Sequence, residues 1–100
     1  MGAMSLIEED LEAARLCLLE VLDSCALRRV KMDLREHRDL HAELRWLIEA
    51  IFRTRDRRKW IATLSGEARI EATAQTLARA ERLREDSQRL TERVGRLNRR

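Results

Sequence analysis

His37 and His41 come nearest, in residue type and spacing, to a site for chemistry. They stand four apart in LREHRDLHAELRWLIEA, a stretch with helical apolar periodicity. Four residues is just over one helical turn, so the two imidazoles share a face, as a pair of metal ligands must. Glu36 and Glu43 are close by, but the zinc-protease pattern needs glutamate directly after the first histidine, and Arg38 occupies that place. Both histidines also fall on an apolar seam, where polar residues commonly set register or partner number. That is the role expected of them; neither a metal site nor a cofactor is.

The second chemical feature is IFRTRDRRKW, Ile51 to Trp60. Arg53, Arg55, Arg57, Arg58 and Lys59 surround a single acid, Asp56, and Trp60 closes the run. Trp46 lies fourteen residues before Trp60, so the two indoles project alike from a coiled-coil helix. Indole faces among guanidinium groups can stack unpaired bases while the cations hold phosphates. The same charges could dock on acidic protein tails. The plainer alternative is a helix C-terminus, whose dipole favours cations, with both tryptophans buried against a returning helix. Arg93, Arg96, Arg99 and Arg100 form a second, weaker basic cluster.

Catalysis is not expected. There is no glycine-rich phosphate loop and no nucleophile motif, and the acids occur at helix-surface spacings beside arginine. Two cysteines at this spacing make no zinc finger. Cys17 and Cys25 are eight apart on one expected helix, which separates their Cα atoms by ~12 Å, too far for a disulfide within the chain. They read as buried thiols of a reducing compartment, hence an intracellular protein, cytoplasmic or nuclear. No apolar run is long enough to cross a membrane.

The elements that must position these residues are helices. The 100 residues contain no proline, three glycines and 39% charged side chains, a composition of long helices and coiled coils. The expected fold is all-α: one helical coiled-coil module over residues 1–100, with a first helix over about 6–64 and a second over about 67–98. Ser5 and Glu8 fit a capping box at the start. Leu11, Ala14, Leu18, Val21 and Cys25 make a seam alternating by four and three, which Leu16, Cys17, Leu19 and Leu22 widen. The seam changes phase near 25–27, read as a shift of supercoil without a break. It continues through Leu27, Val30, Leu34, His37, His41, Leu44, Ile48 and Ile51, dies in the basic run, and recovers in Leu83, Leu90, Val94 and Leu97. Ser65-Gly66 is the candidate break, where the chain either continues as a rod of ~150 Å or folds back so that 68–97 lie antiparallel to about 33–62.

Charge is unevenly placed. Residues 1–27 carry one cation and six anions, residues 28–60 eleven and six, residues 61–100 nine and six. An acidic head before a basic body suggests staggered self-association or an acidic partner. These features together predict a non-enzymatic oligomerisation or scaffold module, a homodimer or small homo-oligomer. Its basic face would contact an anionic polymer such as a microtubule in a cytoskeletal or chromosome-segregation setting. The alternatives are a nucleic-acid-binding helical protein using the Arg/Trp patch, and a protein–protein assembly module with no anionic partner.

Overall fold

Asp33 caps a helix start that the heptad pattern passes over. Its backbone is extended, and its side chain accepts a hydrogen bond from the Glu36 amide at 2.8 Å. Such a cap contributes ~1 kcal/mol to a helix terminus. The computed structural model describes residues 2–26 and 32–97, and the side chains of all of these except 24–26. The described residues form three helices: α1 (Ala3–Ala26), α2 (Leu34–Ile61) and α3 (Gly66–Leu97). The expected single helix over 6–64 is thereby corrected. α1 spans Ala3–Ala26, residues 32 and 33 are not helical, and α2 starts afresh at Leu34, so the run from Leu27 to Ile51 is not one unbroken helix; the phase change near 25–27 falls partly outside the described residues.

The second boundary lies where Ser65-Gly66 predicted it. Gly66 has φ +62°, a left-handed conformation that glycine alone adopts without steric cost. Ahead of it, the amides of Ala62, Thr63 and Leu64 turn back onto the carbonyls of Arg58, Trp60 and Ile61. At the other end, the Ser5 and Leu6 amides both donate to the Gly2 carbonyl. α1 therefore begins before Ser5, and the expected capping box does not form.

Cross-helix contacts fix the directions. Asp10 meets Arg84, and the Cys17 carbonyl accepts the Thr91 hydroxyl at 3.2 Å, so α1 and α3 run parallel. Glu43 meets Arg93, and Arg57 meets Gln75, so α2 and α3 are antiparallel. Residues 66–97 do fold back along α2, as the hairpin alternative expected. The molecule measures 52 × 23 × 16 Å, which excludes the long rod.

One core runs down this bundle. α1 supplies Ile7, Leu11, Ala14, Leu18 and Val21; α3 supplies Ala80, Leu83, Leu90 and Val94. The predicted seams of these two helices are thus core, packed inside one chain. Leu97 is only half-buried. α2 needs a larger correction. Its buried stripe is Leu40, Leu44, Leu47, Ile51, Thr54 and Ile61. Of the α2 residues in the predicted seam, only Leu44 and Ile51 are in the core. Leu34 is 71% exposed, His37 and His41 are exposed, and Ile48 is half-buried. The stripes through Leu40/Leu47 and through His41/Ile48 flank the same central residues. Burial goes to the leucines because a buried imidazole must give up hydration. The predicted seam residues Cys25, Leu27 and Val30 lie outside the described side chains.

The helices pack as a bundle. Three buried hydroxyls interrupt its core. Thr54 and Thr76 donate to the carbonyls of Ala50 and Ala72, whereas the Ser87 hydroxyl has no hydrogen-bond partner among the described residues. Among those residues no helix is long and apolar enough to cross a membrane.

Candidate interaction surface

The basic run of α2 faces two neighbours, and its charges are largely answered within the chain. Arg58 forms an ion pair with Glu8 of α1 at 2.7 Å, and Arg55 lies 3.6 Å from Glu12. Glu12 is also held by Arg15 through two contacts of 2.9 and 2.5 Å. The Arg15 hydrogen bond, aided by the fields of Arg15 and Arg55, holds the Glu12 carboxyl below its ordinary range. Arg53 reaches Glu49 one turn back, at 3.7 Å. Arg57 lies over the Trp60 ring at 5.3 Å and donates to Gln75 at 3.4 Å. Of the five cations in the run, Lys59 alone has no ion-pair or hydrogen-bond partner among the described residues. In the second cluster Arg93 pairs with Glu43 and Arg96 is exposed, while Arg99 and Arg100 lie outside the described residues. Acidic α1 and basic α2 therefore complement each other in the fold, a role the charge pattern had suggested only for separate molecules.

The tryptophans are not buried by the returning helix: Trp46 is 54% and Trp60 49% exposed. Trp46 forms part of a cleft of about 360 Å³ between α2 and α3, with Arg53, Arg79 and Arg82. Arg79 and Arg82 went unnoticed in the sequence because they belong to another helix, 33 and 36 residues from Trp46. His37 and His41 stack at 4.7 Å between ring centroids on the exposed side of α2. No group of three potential metal ligands converges among the described residues. Cys17 is half-buried, with a free thiol.

The larger feature is apolar. Leu34, His41, Ile48 and Phe52 line a groove of about 910 Å³ along α2. Ile48 and Phe52 also line a smaller groove of about 220 Å³ against Leu19 and Leu22 of α1, so the two grooves adjoin at these side chains. Phe52 of α2 is 61% exposed, and on α1 Leu16 is 54% exposed, with Leu19 and Leu22 exposed as well. The widening of the α1 seam was the sequence signal for this face. It suggests contact of α1 with more than one helix, and α1 does pack against both α2 and α3, although Leu16, Leu19 and Leu22 themselves stay exposed.

No protein-family model matches the chain, and no curated protein or solved structure is significantly similar to it.

Proposed function

We propose that the protein is a non-enzymatic helical assembly module, and that its contact surface is the apolar face shared by α1 and α2. The observation that carries this is the groove where Leu19 and Leu22 of α1 meet Ile48 and Phe52 of α2, in which a folded monomer leaves Leu19, Leu22 and Phe52 exposed. Isolated exposed leucines are ordinary, but a contiguous patch rimmed by charge marks a contact surface. Coiled-coil-like packing belongs to this proposal, as a property of the assembled state. Phe52→Glu tests it. The side chain is exposed, so helicity and melting should hold, while association followed by sedimentation should weaken at least ~30-fold, the scale of a hot-spot residue. Association unchanged by Phe52→Glu and by Leu19→Glu rules this face out.

A second reading, contact with an anionic polymer such as nucleic acid or a microtubule, draws support from the Trp46 cleft. Arg79 and Arg82 have no ion-pair partner among the described residues and sit beside an exposed indole. This moves the anion-binding expectation away from Arg55 and Arg58, whose partners are Glu12 and Glu8. On this reading, Arg79→Glu with Arg82→Glu abolishes binding in gel-shift and co-pelleting assays and flattens its salt dependence. Binding that survives both reversals removes the cleft from consideration.

A further inference from the structure

We infer that the occupant of the apolar face is a second copy of this chain, related by a two-fold axis parallel to the helices, so that α1 of each protomer lies antiparallel on α2 of the other. This deepens the assembly reading and rests on it.

The layout of the face suits a copy of itself. A two-fold contact uses the same patch on both copies, and this chain has one apolar strip on each of two adjacent helices.

Charge then chooses the axis. α1 carries six carboxylates and one arginine, whereas α2 carries eight cations and five acids. Ion pairing inside the chain does not use all of them. Glu9 and Asp23 flank the α1 strip, Arg38 and Arg45 flank the α2 strip, and none of the four has a partner among the described residues. A two-fold axis perpendicular to the helices would stack α1 on α1 and bring like charges together. An axis parallel to them stacks acidic α1 on basic α2 twice.

That second arrangement keeps residues at the levels they already share within the chain. The stagger that sets Glu8 beside Arg58 and Glu12 beside Arg55 puts Leu16 level with Ile51 and Phe52, and Leu19 level with Ile48. Asp23 comes level with Leu44 and Arg45. Across the axis, apolar side chains therefore meet apolar ones, and Asp23 faces a second Arg45. Each helix of the resulting four-helix contact has antiparallel neighbours, the common arrangement of bundles with short connections.

The test is a pair of charge reversals at exposed positions, with sedimentation as the readout and circular dichroism as the check on folding. Asp23→Arg alone sets two arginines against each other on both sides of the axis and should weaken self-association about tenfold or more. Arg45→Asp alone sets two acids together and should do the same. Mixed in equal amounts, the two variants regain both complementary pairs, and a heterodimer of wild-type strength should form. If neither single reversal weakens association, or if the mixture fails to restore it, the arrangement is wrong. Should Phe52→Glu still abolish association in that case, the face survives as a contact surface and only its geometry falls. A wild-type chain that stays monomeric throughout the micromolar range removes the second copy as occupant.

Discussion

Leu90→Ala should lower stability by about 2–5 kcal/mol, the range for a buried leucine cut back to alanine. Leu90 is 1% exposed on α3, the helix that runs parallel to α1 and antiparallel to α2. Its removal costs the transfer energy of the lost methyl groups and leaves a cavity that three rigid helices collapse into only partly. A domain of this length holds a total of about 5–15 kcal/mol, so the loss is a large share of it. At ~4–8 °C per kcal/mol the melting temperature should fall by about 8 °C or more. Leu34→Ala is the matched control. The heptad pattern treats Leu34 and Leu90 alike, but Leu34 is mostly exposed, and its loss should stay within about 0.5 kcal/mol. Urea melts of the two variants measure both values. Equal losses would mean that the partition of the seam into core and surface is mistaken.

The second large effect is electrostatic. Asp10 is buried beside α3, and its one partner among the described residues is Arg84, which donates to Oδ1 at 3.0 Å. Arg84→Met leaves that carboxylate without its partner in a place water reaches poorly. The expected cost is about 1–3 kcal/mol, short of the 3–5 kcal/mol of a wholly buried pair because the guanidinium is itself half-exposed. Asp10→Leu combined with Arg84→Met removes the stranded charge, so the double variant should be more stable than Arg84→Met alone. A double-mutant cycle reads the difference. If the double variant loses the sum of the two single losses, Asp10 and Arg84 are not coupled, and another contact holds α1 in register with α3.

Both predictions turn on helix faces, and the faces show how far pattern reaches. The α3 seam was legible because it is narrow, with no other large apolar residue between Leu83 and Leu90, and the α1 seam because Leu11, Ala14, Leu18 and Val21 keep the spacing of four and three through a wider apolar stretch. α2 was harder to read because its apolar arc is wide. Leu40, His41, Leu44, Leu47, Ile48 and Ile51 cover two overlapping stripes, and spacing alone cannot rank them. The Asp33 cap was visible as a residue type. Its role was not, because an aspartate on a helix surface and one at a helix start look the same until the chain reverses behind it.

The same limit applied to the candidate sites. Arg55 and Arg58 look free in the sequence because their partners, Glu12 and Glu8, are 43 and 50 residues away. Arg79 and Arg82 could not be tied to Trp46 for the same reason. Local spacing reports which residues share a helix face, whereas contacts between helices depend on where the chain turns and which way each segment then runs.

By itself, then, the sequence determined the helical class, the break at Gly66 and the core faces of α1 and α3, because these follow from glycine's backbone freedom and from apolar residues recurring at the helical period. Only the tertiary structure decided that the chain folds into a bundle upon itself, that most arginines of the basic run answer acids within the molecule, and that Leu16, Leu19 and Phe52 remain in water. Those outcomes depend on three helices competing for one another's surfaces, and when three helices share a small core, some apolar side chains are left outside it.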